Sequence, residues 1–431
     1  MIPLVGAALT GLDEWMQRVG QLQIICAAGT QAEGVHRLTR RTGEILSEPV
    51  ALKPVDYDRF ATFARHKRLA PLSGKQSGRA KSRYPHLAVR TDSHGDHLEL
   101  LEAHAEVWAQ DYWLSQTEVG SKTGGVTVSG RVGSNTGVDH LIQWAQKADL
   151  LTRVGQLTPL GYLLSGWDSG VEDGGERPNP YARSPFSLVA GFCLVRADLD
   201  IFSRFLPKLL TATPPFGKKE GARMFGEAVG EVADEADADL RLSSGRRRAV
   251  IEVRRDLERA ARRSKSRDDL GATATAWHRA VSRLEAYVDL GLLSKVHGQT
   301  SHSYKYKYVP TPILRTTADS LSAGLDALTW IEADFFDCLA APNASYWEPE
   351  LPDLLDMLPA AAAVLRRGRA PLPIDALGLW LVMAAESEDS KLTLAQARTR
   401  LRELAEAHSD RVRLMRGERG ERAEFISLVD P

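Results

Sequence analysis

The sequence predicts a mainly helical protein with small β-hairpins, an α+β chain built in several modules. Three observations predict it. Apolar residues recur at i, i+3, i+4 and i+7 through most of the chain, the period of a helix with one buried face. Short alternating segments bounded by turn residues follow several of those helices, as in a hairpin. The 431 residues are 43% apolar and 26% charged, ordinary globular values, and the length allows roughly two to four folding units.

Charge narrows the function classes. Lys plus Arg number 55 against 56 Asp plus Glu, a net charge of −1. That balance excludes a protein that is basic everywhere and holds nucleic acid by bulk charge; any such contact needs local basic surface. Three cysteines exclude a disulfide-stapled scaffold. The opening MIPLVGAALTGL is apolar but has no basic segment before it, and Asp13 and Glu14 follow at once, the reverse of a secretory signal. No apolar run reaches eighteen residues, so no membrane span is expected, and the expected location is cytoplasmic. The heavy use of Ala, Arg and Leu resembles that of a GC-rich bacterial genome.

The elements follow in order. QLQIICAAG (21–29) reads as a buried strand or short helix, and 55–69 as a helix. Arg65 to Arg90 holds eight cations and no acid within a Gly-, Ser- and Pro-rich loop. His97–Leu114 is helical, Gly120–Gly137 a short strand between turns, and Val138–Leu151 helical again. The stretch 167–186, rich in Gly and Pro, marks a boundary. Two apolar helices cover 187–210. An acidic helix follows, with Glu227, Glu231, Asp234, Glu235, Asp237 and Asp239 and no cation among them. Residues 241–268 then carry ten Arg and one Lys against four acids. Ala274–Leu293 is helical to Asp289, with Gly291 placed to cap it. Ser294–Thr311 reads as strand, turn, strand; 318–370 is helical around the loop APNASYWEPELPD; and 371–431 is helix, helix, hairpin. The expected domains are 1–166, 187–317 and 318–431.

One pattern recurs. An amphipathic helix ends in a Leu-rich stretch, and a hairpin or its remnant follows. It is clearest in Arg279–Thr311, then in Leu392–Val429, and weakest in Val138–Leu164. Tyr304, Tyr306 and Tyr308 alternate with Lys305 and Lys307, and Val412 and Leu414 with Arg411 and Arg413, so each ribbon has an apolar and a cationic face. A lone hairpin is marginal and must lean on the preceding helix.

On these residues the chain resembles the winged-helix superfamily of helix-turn-helix proteins. Arg283, Leu284, Leu290–Leu293 and Tyr308–Thr311 carry the likeness best. Leu401, Leu404, Ala405, Val412, Leu414, Phe425 and Ile426 carry it in the last copy; Ala148–Leu151, Leu157, Thr158 and Gly161 carry it loosely in the first. The resemblance spans about half the chain and implies two or three winged-helix modules joined by helical segments, near 97–166, 274–311 and 371–431.

The resemblance implies two jobs. A winged helix lays its second helix in the DNA major groove while the wing touches backbone, or it docks protein, often a second copy. Cations expected on duplex phosphates are Arg279, Arg283, Lys295, Lys305 and Lys307 in the middle module. In the last they are Arg398, Arg402, Arg413, Arg416 and Arg419. Secondary basic candidates are Lys75, Arg79, Lys81 and Arg83 in the loop and Arg248, Arg255, Arg259 and Arg262 on the basic helix. That helix could equally pair with the acidic helix before it. Such modules suit a bacterial multi-gene system for DNA modification or phage defence, an expectation that no residue here carries.

Enzyme readings are weaker. His94, Asp96, His97 and His104 lack Cys pairs or an H-E-x-x-H spacing for zinc. GSKTGG (120–125) lacks the phosphate-loop spacing. IEVRR (251–255) has Arg254 where a nuclease needs Lys. Cys26, Cys193 and Cys338 lie in apolar runs and read as packing. The sequence therefore points to a DNA-binding or nucleoprotein-assembly protein without catalysis, metal or cofactor, with a protein-docking scaffold as the alternative.

Overall fold

The computed structural model describes residues 19, 20, 22, 23, 26, 144–152, 157–166, 183–238, 251, 254, 255, 257–259, 262, 274–297, 306–323, 326–341, 343–365, 371–416 and 424–428. They are mainly helical with few short strands.

Helix α1 (Pro159–Ser165) starts on Thr158, whose hydroxyl accepts from the Gly161 amide. Helix α2 (Pro185–Ala197) has Pro at its first position and a Ser184/Ser187 capping box, which satisfies amides that the helix leaves open. Its residues 187–195 are all buried, the pattern of a helix enclosed by others. Asp198 turns the chain into α3 (Leu199–Thr211), an amphipathic helix. The acidic helix is α4 (Lys218–Ala238), which buries Ala222, Phe225, Val229, Val232 and Ala236 on one stripe. Next comes α5 (Ala274–Asp289), packed on α4.

Gly291 adopts φ +74°, a conformation costly for any residue with a Cβ, and turns the chain from α5 into strand β1 (Leu293–His297). Strand β2 (Tyr306–Pro310) pairs antiparallel with it, Lys295 opposite Tyr308. Tyr308 also bridges to Phe216, just ahead of α4, so the lateral order is Phe216, β2, β1. Helix α6 (Pro312–Ser322) is capped by Thr311. Two short helices follow, α7 (Ala327–Ala333) and α8 (Phe335–Leu339).

The C-terminal part repeats this plan. Strand β3 (Ser345–Tyr346) precedes α9 (Leu351–Leu365), strand β4 (Leu372–Pro373) and α10 (Ile374–Ser387). Strand β5 (Ser390–Lys391) pairs parallel with β3. Helix α11 (Leu394–Ala407) starts on a Thr393/Gln396 capping box. Strands β6 (Val412–Arg416) and β7 (Glu424–Leu428) form the hairpin, and the sheet order is β4, β7, β6. Leu372 faces Ile426, which faces Leu414, just as Phe216 faces Tyr308 and Tyr308 faces Lys295. Both units thus read helix, edge strand, helix, helix, hairpin, with the second strand of the hairpin in the middle.

A third, shortened copy lies around Trp144–Ser165. There Thr158 donates its amide to the Leu150 carbonyl (3.0 Å) and its hydroxyl to that of Asp149 (2.5 Å). Thr311 does the same to Leu292 (3.1 Å) and Gly291 (2.7 Å). Asp149 matches Gly291 in its positive φ, 59°. The Leu150 and Leu292 amides both reach five residues back, to Ala145 and Tyr287. Leu151 pairs with Leu157 where Leu293 pairs with Pro310.

An aromatic cluster joins the units. Phe202 stacks on Trp330 with ring centres 5.8 Å apart, and Phe335 meets Phe192 edge-on at 5.6 Å. Such rings bury much apolar area with some directional preference.

Candidate nucleic-acid interface

In the C-terminal unit, Leu394, Ala397, Leu401 and Leu404 seat α11 on the core. The opposite stripe, Gln396, Thr399, Arg400, Glu403 and Glu406, faces outward. Arg400 donates to Glu403 at 2.9 Å. On β6, Val412 is buried while Arg413, Met415 and Arg416 are exposed, as is Arg411 just before the strand. Arg416 has the inward parity of Val412 and Leu414, yet it reaches solvent opposite Glu424 at the end of the pairing. Arg402 is 44% exposed and donates to Glu424 at 2.7 Å.

Three expected phosphate contacts are corrected by the structure. Arg283 is 2% exposed. Its Nε and Nη2 donate to the two Asp198 oxygens at 2.6 and 2.7 Å, and its guanidinium lies 4.6 Å from the centre of the Phe225 ring. Burial pushes the Asp198 carboxyl above the ordinary range although Arg283 draws it back. Lys295 is turned inward onto Glu285, which is 1% exposed, and Tyr308 donates its hydroxyl to the same carboxylate at 2.6 Å. Arg398 bridges Glu332 of α7 (2.6 Å) and Asp375 of α10 (2.7 Å) with only 15% of its side chain exposed. In each case a buried or half-buried carboxylate captures the cation, because an unpaired charge there is costly. Arginine at helical spacing looks the same in a sequence whether it faces solvent or a buried acid.

The remaining candidates divide. Arg279 is half-buried beside Arg283, whose Nη1 donates to the Arg279 carbonyl at 3.1 Å. Lys307, Arg413 and Arg416 are exposed, as are Arg255, Arg259 and Arg262. Lys75, Arg79, Lys81, Arg83, Arg248, Lys305 and Arg419 lie outside the described residues, as do the histidines 94, 97 and 104 and GSKTGG. Ala280–Tyr287 of α5 are buried without a break, which closes two turns of that helix to any partner.

The sequence reasoning missed a group and a cleft. Lys147 is held down to about 8 by burial, against the attraction of Asp198. A cleft of about 830 Å³ lies between the first copy, α7 and the C-terminal unit. Arg196, Arg398, Arg402 and Arg416 line it together with Asp149, Glu332, Asp375 and Glu424, a balanced set with no bias toward anions. Nothing local in the sequence marks either, since both arise where distant segments meet. Cys26 and Cys193 are buried and Cys338 is half-buried. Among the described residues no cluster of His, Cys, Asp and Glu is able to hold a metal ion, and no helix is long and apolar enough to cross a membrane.

No family model matches the chain, and neither a curated protein nor a solved structure matches it.

Proposed function

We propose that the chain is a non-catalytic DNA-binding protein built of winged-helix units, with the C-terminal unit making the contact. The observation that carries this reading is the order β4, β7, β6 behind α10 and α11, with Arg413 and Arg416 exposed on the outer strand and Arg411 exposed just before it. In a winged helix that strand leads into the wing, which lies against backbone while the preceding helix enters the groove. The outward stripe of α11 offers Gln396, Thr399 and Arg400, residue types that hydrogen-bond base edges. The middle unit has the same plan but its α5 is enclosed, so its work is to hold the molecule together.

The test is a mobility-shift titration of a duplex with the full chain and with R411E/R413E/R416E. The expected result is binding that falls steeply between about 50 and 200 mM salt, and a large loss in the variant. Absence of binding at low salt removes the reading.

A second reading is a protein-docking scaffold, and one observation favours it: Arg283, Lys295 and Arg398 all serve internal ion pairs. Partners that co-purify and survive nuclease treatment would select it.

A further inference from the structure

The cleft beside the C-terminal unit is balanced as a whole, but its charges form two clusters of opposite sign. In the first, Arg398 holds Glu332 and Asp375. Asp149 and Arg196 stand beside them, close enough for the Asp149 carboxyl to feel both Arg196 and Asp375. Three carboxylates there meet two guanidiniums. In the second, Arg402 holds Glu424, and Arg416 lies opposite Glu424 in the strand pairing. Two guanidiniums there meet one carboxylate. Arg398 and Arg402 are i, i+4 neighbours on α11, so the clusters approach to about one helical turn, roughly 5 Å.

Each cluster has a group that the fold leaves unused. Among the described residues the side chains of Asp149 and Arg416 make no hydrogen bond and no ion pair, and Arg196 draws on Asp149 without pairing with it. Asp149 is open to solvent, yet burial by the surrounding wall raises its carboxyl, as in a recess. The rest of the lining is largely apolar. It includes Leu160, Ile374 and the half-buried Phe425, together with Leu328, which is 37% exposed. A recess with apolar walls and a few convergent polar groups is the usual form of a small-molecule site.

We infer that this cleft binds a nucleoside monophosphate, with its phosphate on Arg416 and Arg402 and the N–H donors of its base on Asp149. A guanidinium fork matches phosphate oxygens. An ionised carboxylate only accepts hydrogen bonds, so Asp149 selects a donor-bearing group. Phe425 offers a ring on which a base can stack. The volume of about 830 Å³ lies within the roughly 300–1,000 Å³ that such sites occupy. A polyanion suits the cleft poorly, because the surplus carboxylate of the first cluster repels further phosphates. An amino acid carries both signs but leaves most of the volume unfilled. The site is independent of the DNA-binding reading above, with Arg416 the one residue common to both.

The test is isothermal titration of the full chain, without duplex, using AMP, GMP, CMP and UMP, the matching nucleosides, inorganic phosphate and glutamine. The wild type is compared with D149N and R416Q, each checked for an unchanged melting curve. Asn keeps the shape of Asp149 and tolerates its positive φ of 59°, and Arg416 is exposed, so both variants should fold. The expected result is a Kd between about 1 μM and 1 mM for at least one monophosphate. The nucleoside and phosphate alone should bind more weakly, and each variant should lose about ten- to a hundredfold. Absence of binding by every monophosphate overturns the inference and leaves the DNA-binding reading standing. Binding that either variant leaves unchanged overturns it as well. So does inorganic phosphate or glutamine binding as tightly as any nucleotide, which would mark a site for a simple anion or an amino acid.

Discussion

Replacing Arg283 with Met should cost the fold dearly and leave the proposed DNA contact unchanged. The guanidinium makes two hydrogen bonds, 2.6 and 2.7 Å, to an Asp198 carboxylate whose side chain is 5% exposed. Removing one member of a buried pair leaves an uncompensated charge, at about 3–5 kcal/mol. For a unit of this size that lowers the melting temperature by roughly 6–20 °C. The variant also acquires a pH signature. Burial already raises the Asp198 pKa above 3.8, and Arg283 opposes that rise, so the variant raises it further. A carboxyl with a folded pKa above its unfolded one binds its proton more tightly in the folded state. Stability of R283M therefore falls as pH rises from about 4 toward the raised value. A compensating D198L/R283M chain, apolar at both positions, should recover most of the loss. Thermal melts from pH 4 to 7 and duplex titrations read all of this. An unshifted melting temperature together with weakened DNA binding would show that Arg283 faces phosphate after all.

Other sites give equally direct outcomes. Tyr308→Phe strips a 2.6 Å hydrogen bond from the buried Glu285 and should cost about 1–3 kcal/mol, read by denaturant melts. Gly161→Ala places a Cβ 2.2 Å from the Leu150 carbonyl oxygen; a backbone contact this close cannot relax by rotamer, so poor yield or a sharply lowered melting temperature is expected. Lys147, held near 8 by burial, binds its proton more weakly in the folded state. Stability should therefore rise between about pH 8 and 10.5, and Lys147→Met should flatten that rise. Thr311→Val keeps the shape but loses the hydroxyl that accepts from Leu314, at about 1 kcal/mol.

The helices were legible because their period is local. Gly291 as the end of α5, the ribbon over 294–311 and the helix pair before the last ribbon all follow from apolar spacing and turn residues. The edge strands were not. Phe216 and Leu372–Pro373 contribute one or two residues each to a sheet, too few for any alternation, and Phe216 pairs with a residue some ninety positions away. The long basic insertion also hid the middle unit, since it separates α4 from α5, which pack side by side. The site residues were least legible. The sequence shows a cation's spacing but not the acid facing it, and Asp198, Glu332 and Asp375 come from other elements than the arginines they hold.

The threonine knot at the foot of the ribbon has a consequence for how the protein tolerates change. Five residues separate Leu151 from Leu157, and sixteen separate Leu293 from Pro310, yet the same pair of bonds closes both loops and launches the next helix in the same way. Ribbon length is thereby uncoupled from everything downstream. A graft, tag or deletion between His297 and Tyr306 should leave the helix that Thr311 caps in place, because the bonds that launch it lie outside that stretch.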